Sequence, residues 1–234
     1  MQNKYEKYEQ LSQDTLEKMT ENKENWQGFL DTASRMYKYS FDDQVLIYAQ
    51  RPDTRACADF SFWTAENRMN RHIKRNSDGI ALLDRDKRKL HYVYAVEDTE
   101  PRINGKSRDP EAYIWKLPGE NRAAVNEMLC KQGNISSDSF DKTIISMAFS
   151  VARIRAADYD DEFEKIYSKV SPDIPKDDMK KAFHNFIAES AAYIAAKRSG
   201  TDVTTYFSNQ FADISLFQQV PFTALVGEAT ADTA

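Results

Sequence analysis

Gly79-Ile80-Ala81-Leu82-Leu83 and Leu90-His91-Tyr92-Val93-Tyr94-Ala95-Val96 are the two stretches that decide the fold class. The first is a short apolar run, and the second is rich in β-branched and aromatic residues, so both read as strands. The charged turn Asp84 to Lys89 joins them, and an antiparallel hairpin is the simplest pairing. Alternation along the second run puts Tyr92 and Tyr94 on one face, and His91 and Val93 on the other.

Around this pair the period is helical. Tyr5, Tyr8, Leu11, Leu16 and Met19 mark a charged helix over 4–21, and Trp26, Phe29, Leu30, Ala33 and Tyr37 share one face of a second over 23–38. Ser40 can cap a third helix, Phe41 to Gln50, which Arg51-Pro52 ends. A short helix runs from about Phe62 to Arg68, started by the cluster Phe60, Phe62 and Trp63. Residues 98–111, with two prolines and Asn104-Gly105, read as a loop or linker. Ala112 to Leu117 adds one short strand. Residues 119–131 are helical, ended by Gln132-Gly133-Asn134. Ser137 or Asp138 starts a helix reaching Ala157, and Asp160–Lys169 follows. Pro172 and Pro175 break the chain before a long helix, Lys176–Arg198, and a shorter one, Val203–Phe211.

The expected fold is therefore α+β and mainly helical. A small antiparallel sheet around residues 79–96 packs on the N-terminal helices from Trp26 to Gln50. The expected organisation is a helical arm (1–22), an α+β domain (23–100), a linker with a short helix (101–135) and a helical region (136–234). Gly227 to Ala234 reads as the start of another helix, as in the N-terminal part of a larger polypeptide.

Composition excludes several classes. No apolar run approaches the roughly 20 residues that a membrane span needs, and the polar N-terminus does not resemble a signal peptide, so the expected location is cytoplasmic with no membrane partner. Cys57 and Cys130 read as two reduced thiols. The three histidines, His72, His91 and His184, do not pair with each other or with cysteine at ligand spacing. Phosphate-cradle, dinucleotide and nucleophile-elbow motifs are absent. The acidic groups Asp160-Asp161-Glu162 and Asp177-Asp178 sit at helix starts, where they complement the dipole. Glu97-Asp98 closes the second strand in a solvated loop. The expectation is a protein that is not an enzyme and needs no metal or cofactor.

The formal net charge of −5 counts against coating DNA by bulk charge, but a local field depends on distribution. Between Arg68 and Lys89 eight cations (Arg68, Arg71, Lys74, Arg75, Arg85, Lys87, Arg88 and Lys89) face three acids, Asp78, Asp84 and Asp86. Such clusters neutralise phosphates, and Trp63, Tyr92 and Tyr94 beside them offer platforms for unpaired bases. A solvated hairpin edge that deters aggregation is the plainer alternative.

An ordered series of segments carries a family resemblance: Trp26-Gln27-Gly28-Phe29-Leu30, Tyr37 through Pro52, Trp63, Gly79–Leu83 and Tyr92–Thr99. It resembles the N-terminal domain of ArdC-type antirestriction proteins, in the version found at the front of large proteins of conjugative elements and plasmids. The resemblance spans residues 23–99, with a looser match over 183–230. It implies single-stranded DNA binding and protection of incoming DNA from restriction. The family's basic run before the strand corresponds here to Arg71, Lys74 and Arg75. Asn76 stands where glycine is usual, and asparagine tolerates positive φ better than most residues. The family's H-E-x-x-H protease region is absent from this chain, so no protease activity is expected. The alternative to DNA binding is an interaction protein whose acidic helical half docks a host defence enzyme of restriction or CRISPR type. A catalytic part beyond Ala234 is a third reading.

Overall fold

α1 (Lys4–Met19), α2 (Lys23–Arg35) and α3 (Phe41–Gln50) occupy the three N-terminal periodic stretches. Asn22 caps α2, its side chain accepting from the Asn25 backbone N–H at 2.9 Å. Strands cluster in the middle of the chain: β1 (Cys57–Asp59), the short helix α4 (Phe60–Thr64), then β2 (Arg71–Ile73), β3 (Ile80–Asp84), β4 (Lys89–Ala95) and β5 (Thr99–Pro101). The remainder is helical: α5 (Arg122–Gly133), α6 (Phe140–Arg155), α7 (Asp160–Val170), α8 (Lys176–Arg198), α9 (Val203–Phe207) and α10 (Val220–Thr233). This computed structural model describes residues 3–103, 105–137, 139–208 and 210–234, so Asn104 of the loop signal and Asp138 of the expected cap lie outside the described residues. The fold is α+β and mainly helical, with small antiparallel sheets, as the pattern implies.

β3 and β4 make the expected hairpin, with Ile80 opposite Val93 and Asp84 opposite Lys89. β1 pairs with the other side of β4, giving the order β1-β4-β3, while β2 and β5 form a separate antiparallel pair. β3 is thus an edge strand, and a side chain closes part of its edge. Gln50 Nε2 donates to the Ala81 carbonyl at 2.9 Å, and Gln50 Oε1 accepts from the Ala81 N–H at 3.0 Å. The amide stands in for a neighbouring strand at that position and removes one open pairing site.

The chain divides into two compact units, each built from two segments. The first comprises residues 1–15 and 42–115. Val45, Leu46 and Ile47 of α3 are buried in it, as are Ile80, Ala81, Leu82, Val93 and Ala95 of the hairpin. A smaller cluster joins Trp63, Met69 and Val96, with Phe62 and Ile73 against it.

The second unit comprises residues 16–41 and 116–234 and is organised on α8. Phe186 of α8 packs on Trp26 at 5.3 Å and on Phe217 at 5.5 Å between ring centroids, and Phe183 packs on Phe163 at 5.0 Å. Trp26 spends its polar atom inside this cluster, its indole N–H donating to Ser190 Oγ at 3.0 Å. Ala188 and Ala191 meet Ala152 of α6, where small side chains let the two helices approach. Gly227 does the same for a ring, since a Cβ added there would overlap Phe41. No described helix is long and apolar enough to cross a membrane.

Several local expectations change. α3 reaches the sheet through Gln50, but the Trp26–Phe29 face of α2 packs on α8 in the second unit. Ala112 to Leu117 is not a strand; a single 3-10 turn, Pro110–Ala112, is followed by irregular chain. The short helix begins at Phe60 and ends at Thr64, and the Val203 helix stops at Phe207. β1, β2 and β5, three residues each, are too short for alternation to register. Asp98 is buried, 3.6 Å from Arg51, and not solvated.

Candidate nucleic-acid interface

The eight cations of Arg68–Lys89 do not share one patch. Arg85, Lys87, Arg88 and Lys89 lie at the tip of the β3–β4 hairpin, whereas Arg68, Arg71, Lys74 and Arg75 precede β3 at its other end. At about 3.3 Å per residue, β3 alone separates the two groups by roughly 13 Å. The tip is largely committed to internal contacts. Arg85 Nε lies 2.8 Å from Asp42, and Lys87 Nζ lies 2.9 Å from Asp84. Arg88 stands over the Tyr5 ring at 5.6 Å, and Lys89 is exposed.

The expected stacking platforms also need correction. Trp63 is 2% exposed and donates its N–H to the Tyr94 carbonyl at 2.8 Å, so it is core and cannot meet a base. Tyr94 is half-buried, edge-on to Phe60 at 6.0 Å. Tyr92 is half-buried with Lys4 Nζ 5.3 Å from its ring centre. Tyr92 borders a cavity described below.

The stretch read as a linker supplies what those residues do not. The loop after β5 folds back on the segment before β2. The Arg108 backbone N–H donates to the Met69 carbonyl at 3.0 Å, and Ser107 Oγ donates to the Asn70 carbonyl at 2.5 Å. Arg102 donates its backbone N–H to Ser107 Oγ at 2.7 Å and a guanidinium N–H to the Thr64 carbonyl at 3.2 Å. Asn70, buried at φ 51°, makes the turn that receives the loop. Two segments, 68–75 and 102–108, are thereby joined, and together they carry seven cations and no carboxylate.

Within that surface the cations divide by role. Arg71 is structural: its Nε donates to Thr99 Oγ1 at 2.8 Å, tying β2 to β5. Lys74 Nζ donates to the Glu97 carbonyl at 2.7 Å. Arg68, Arg75, Lys106 and Arg108 are exposed. Arg75 precedes Asn76, whose φ of 67° is the left-handed turn expected there. Arg108 donates to the Tyr113 hydroxyl at 3.1 Å, and Tyr113 and Trp115 are each 50% exposed, which makes them better stacking candidates than Trp63 or Tyr94.

No family model matches the chain, and neither a curated protein nor a solved structure matches it.

Carboxylates at the border of this surface are held by partners. Burial opposes charge on Glu97, but bonds from its own backbone N–H, Thr54 and Arg55 outweigh it and hold the carboxyl below its ordinary range. Arg55 also bridges to Glu111. Cys57 and Cys130 are half-buried thiols outside any disulfide. Among the described residues no three His, Cys, Asp or Glu side chains are grouped to hold a metal ion.

Lys106, Arg108, Tyr113 and Trp115 were all visible in the sequence. The missing signal is the hydrogen bonding of an irregular loop, which leaves no period to read.

Proposed function

We propose that this chain is a non-catalytic, cytoplasmic module that binds single-stranded DNA through the surface built from 68–75 and 102–108. One observation carries the reading: seven cations and no carboxylate in two segments that the loop's hydrogen bonds draw together. Beside them, half-exposed Tyr113 and Trp115 suit unpaired bases, whose faces are available for stacking as those of a duplex are not. The resemblance of residues 23–99 to ArdC-type N-terminal domains adds an antirestriction role in a mobile-element protein. The alternative, an acidic helical half that docks a defence enzyme, gains little, because several of those acids are neutralised internally. Asp160 pairs with Lys180, Glu162 with Lys165, and Glu164 with Lys176.

With Arg68, Arg75, Lys106 and Arg108 as the outward cations, log affinity should fall against log salt with a slope of about −3, at ~0.7 per phosphate for single strands. A fluorescence-anisotropy titration of a labelled oligonucleotide at low and high salt tests this. Single strands should bind more tightly than duplex and weaken steeply with salt. Absence of binding at low salt removes the reading.

A further inference from the structure

A cavity of about 470 Å³ lies in the first unit, lined by Lys4 and Tyr8 of α1, Arg51, Asp78, Gly79 and Tyr92. Its size falls within the ~300–1,000 Å³ typical of small-molecule sites. Its lining is polar and cationic on balance, with two cations against one carboxylate and two phenol rings. Gln50 also borders it, but its amide is spent on Ala81 and on the Leu46 carbonyl.

Each lining group has a definite disposition. Lys4 is exposed at the first residue of α1, its ammonium beside Tyr92. The Tyr92 phenol beside it holds the Lys4 ammonium above its ordinary range. Arg51 is only loosely engaged, its guanidinium 3.6 Å from Asp98 with 41% of the side chain exposed. Asp78 is exposed, and among the described residues no cation is paired with it. Gly79 keeps the wall thin, since a Cβ there would sit 3.1 Å from Tyr92 Cβ.

We infer that this cavity binds a single nucleotide. The phosphate meets Lys4 and Arg51, the base lies against Tyr92 and Tyr8, and Asp78 accepts from an exocyclic amino group. Cations, aromatic faces and an acceptor are the complements of those three parts of a nucleotide. The acceptor adds selectivity: adenine, cytosine and guanine present an amino group and thymine does not. The ligand class follows from the cavity alone and does not depend on strand binding at the 68–108 surface.

The test is an NMR titration of the full chain with dAMP, dCMP, dTMP and inorganic phosphate. Resonances of Gly79 and Ile80 should shift with dAMP and dCMP, and less with dTMP. Lys4→Ala removes an exposed charge-assisted contact and should weaken binding by about tenfold. Asp78→Asn should erase the preference over dTMP. Arg68→Glu/Arg108→Glu, which disables the proposed strand surface, should leave the titration unchanged. No shift at millimolar nucleotide overturns the inference, as does an equal response to inorganic phosphate alone or a Lys4→Ala variant that binds normally. Nucleotide binding without oligonucleotide binding would sink the strand reading and keep this one; the reverse result would do the opposite.

Discussion

The two units spend their side chains differently. Of the twelve bulkiest fully buried side chains among the described residues, eleven belong to the second unit and only Leu46 to the first. The second unit concentrates Phe163, Phe183, Phe186, Phe217 and Phe222 around α8 and pairs its surface acids with lysines. The first has a thinner core of short strands. It holds its loops by hydrogen bonds to backbone carbonyls and leaves cations and aromatics exposed. Ring packing supplies stability, whereas polar loops position groups for a ligand, and a low-stability region is where binding surfaces are commonly found.

The contrast can be broken most severely in the ring cluster. Phe186→Ala should cost about 3–5 kcal/mol in denaturant unfolding, the usual range for emptying a buried aromatic site. A loss below ~1 kcal/mol would mean that the rings do not hold the second unit. Gly227→Ala sharpens the same point through its sign. Helix propensity alone predicts a gain of about 1 kcal/mol, but overlap with the Phe41 ring predicts a loss of about 1–3 kcal/mol. In the first unit Gln50→Ala should cost ~1–2 kcal/mol, with lost hydrogen-exchange protection at the Ala81 amide, because that group loses its partner. Unchanged protection at Ala81 would show that the edge is closed some other way.

A smaller effect concerns acid. Burial works against the Asp160 carboxylate, but bonds from Lys180 and His184 prevail, and its pKa falls below the ordinary carboxylate value. A depressed carboxylate stabilises the folded state above its unfolded pKa, near 3.9, and that contribution fades as pH falls through the lower folded value. Asp160→Asn should therefore lower Tm at pH 6, with the difference from wild type closing in strong acid. A difference independent of pH would contradict the assignment.

How much of this was legible depends on the kind of contact. Periodicity located α1 and α2, cap and proline signals bounded α3 and α8, and composition located the β3–β4 hairpin, because those signals are local. The cluster Phe60-Ser61-Phe62-Trp63 carries no period that says which ring turns inward; Phe60 is 55% exposed and Trp63 is buried. The charge run Arg68–Lys89 looked continuous because sequence order hides the length of β3. The cavity needed α1 to be brought beside Gly79 and Tyr92, and the candidate interface needed residues 102–108 laid against Met69 and Asn70. Both depend on distant segments being brought together, which a single sequence does not display.

The measurement closest to the central claim is the salt dependence of single-stranded DNA binding for the wild-type chain and for Arg68→Glu/Arg108→Glu. Two lost phosphate contacts should lower the slope of log affinity against log salt by about 1.4, at ~0.7 per contact. An Arg85→Glu/Lys87→Glu variant at the hairpin tip should leave the slope near that of wild type. A slope that stays at its wild-type value in Arg68→Glu/Arg108→Glu, or falls only in the tip variant, would contradict the placement of the interface on segments 68–75 and 102–108.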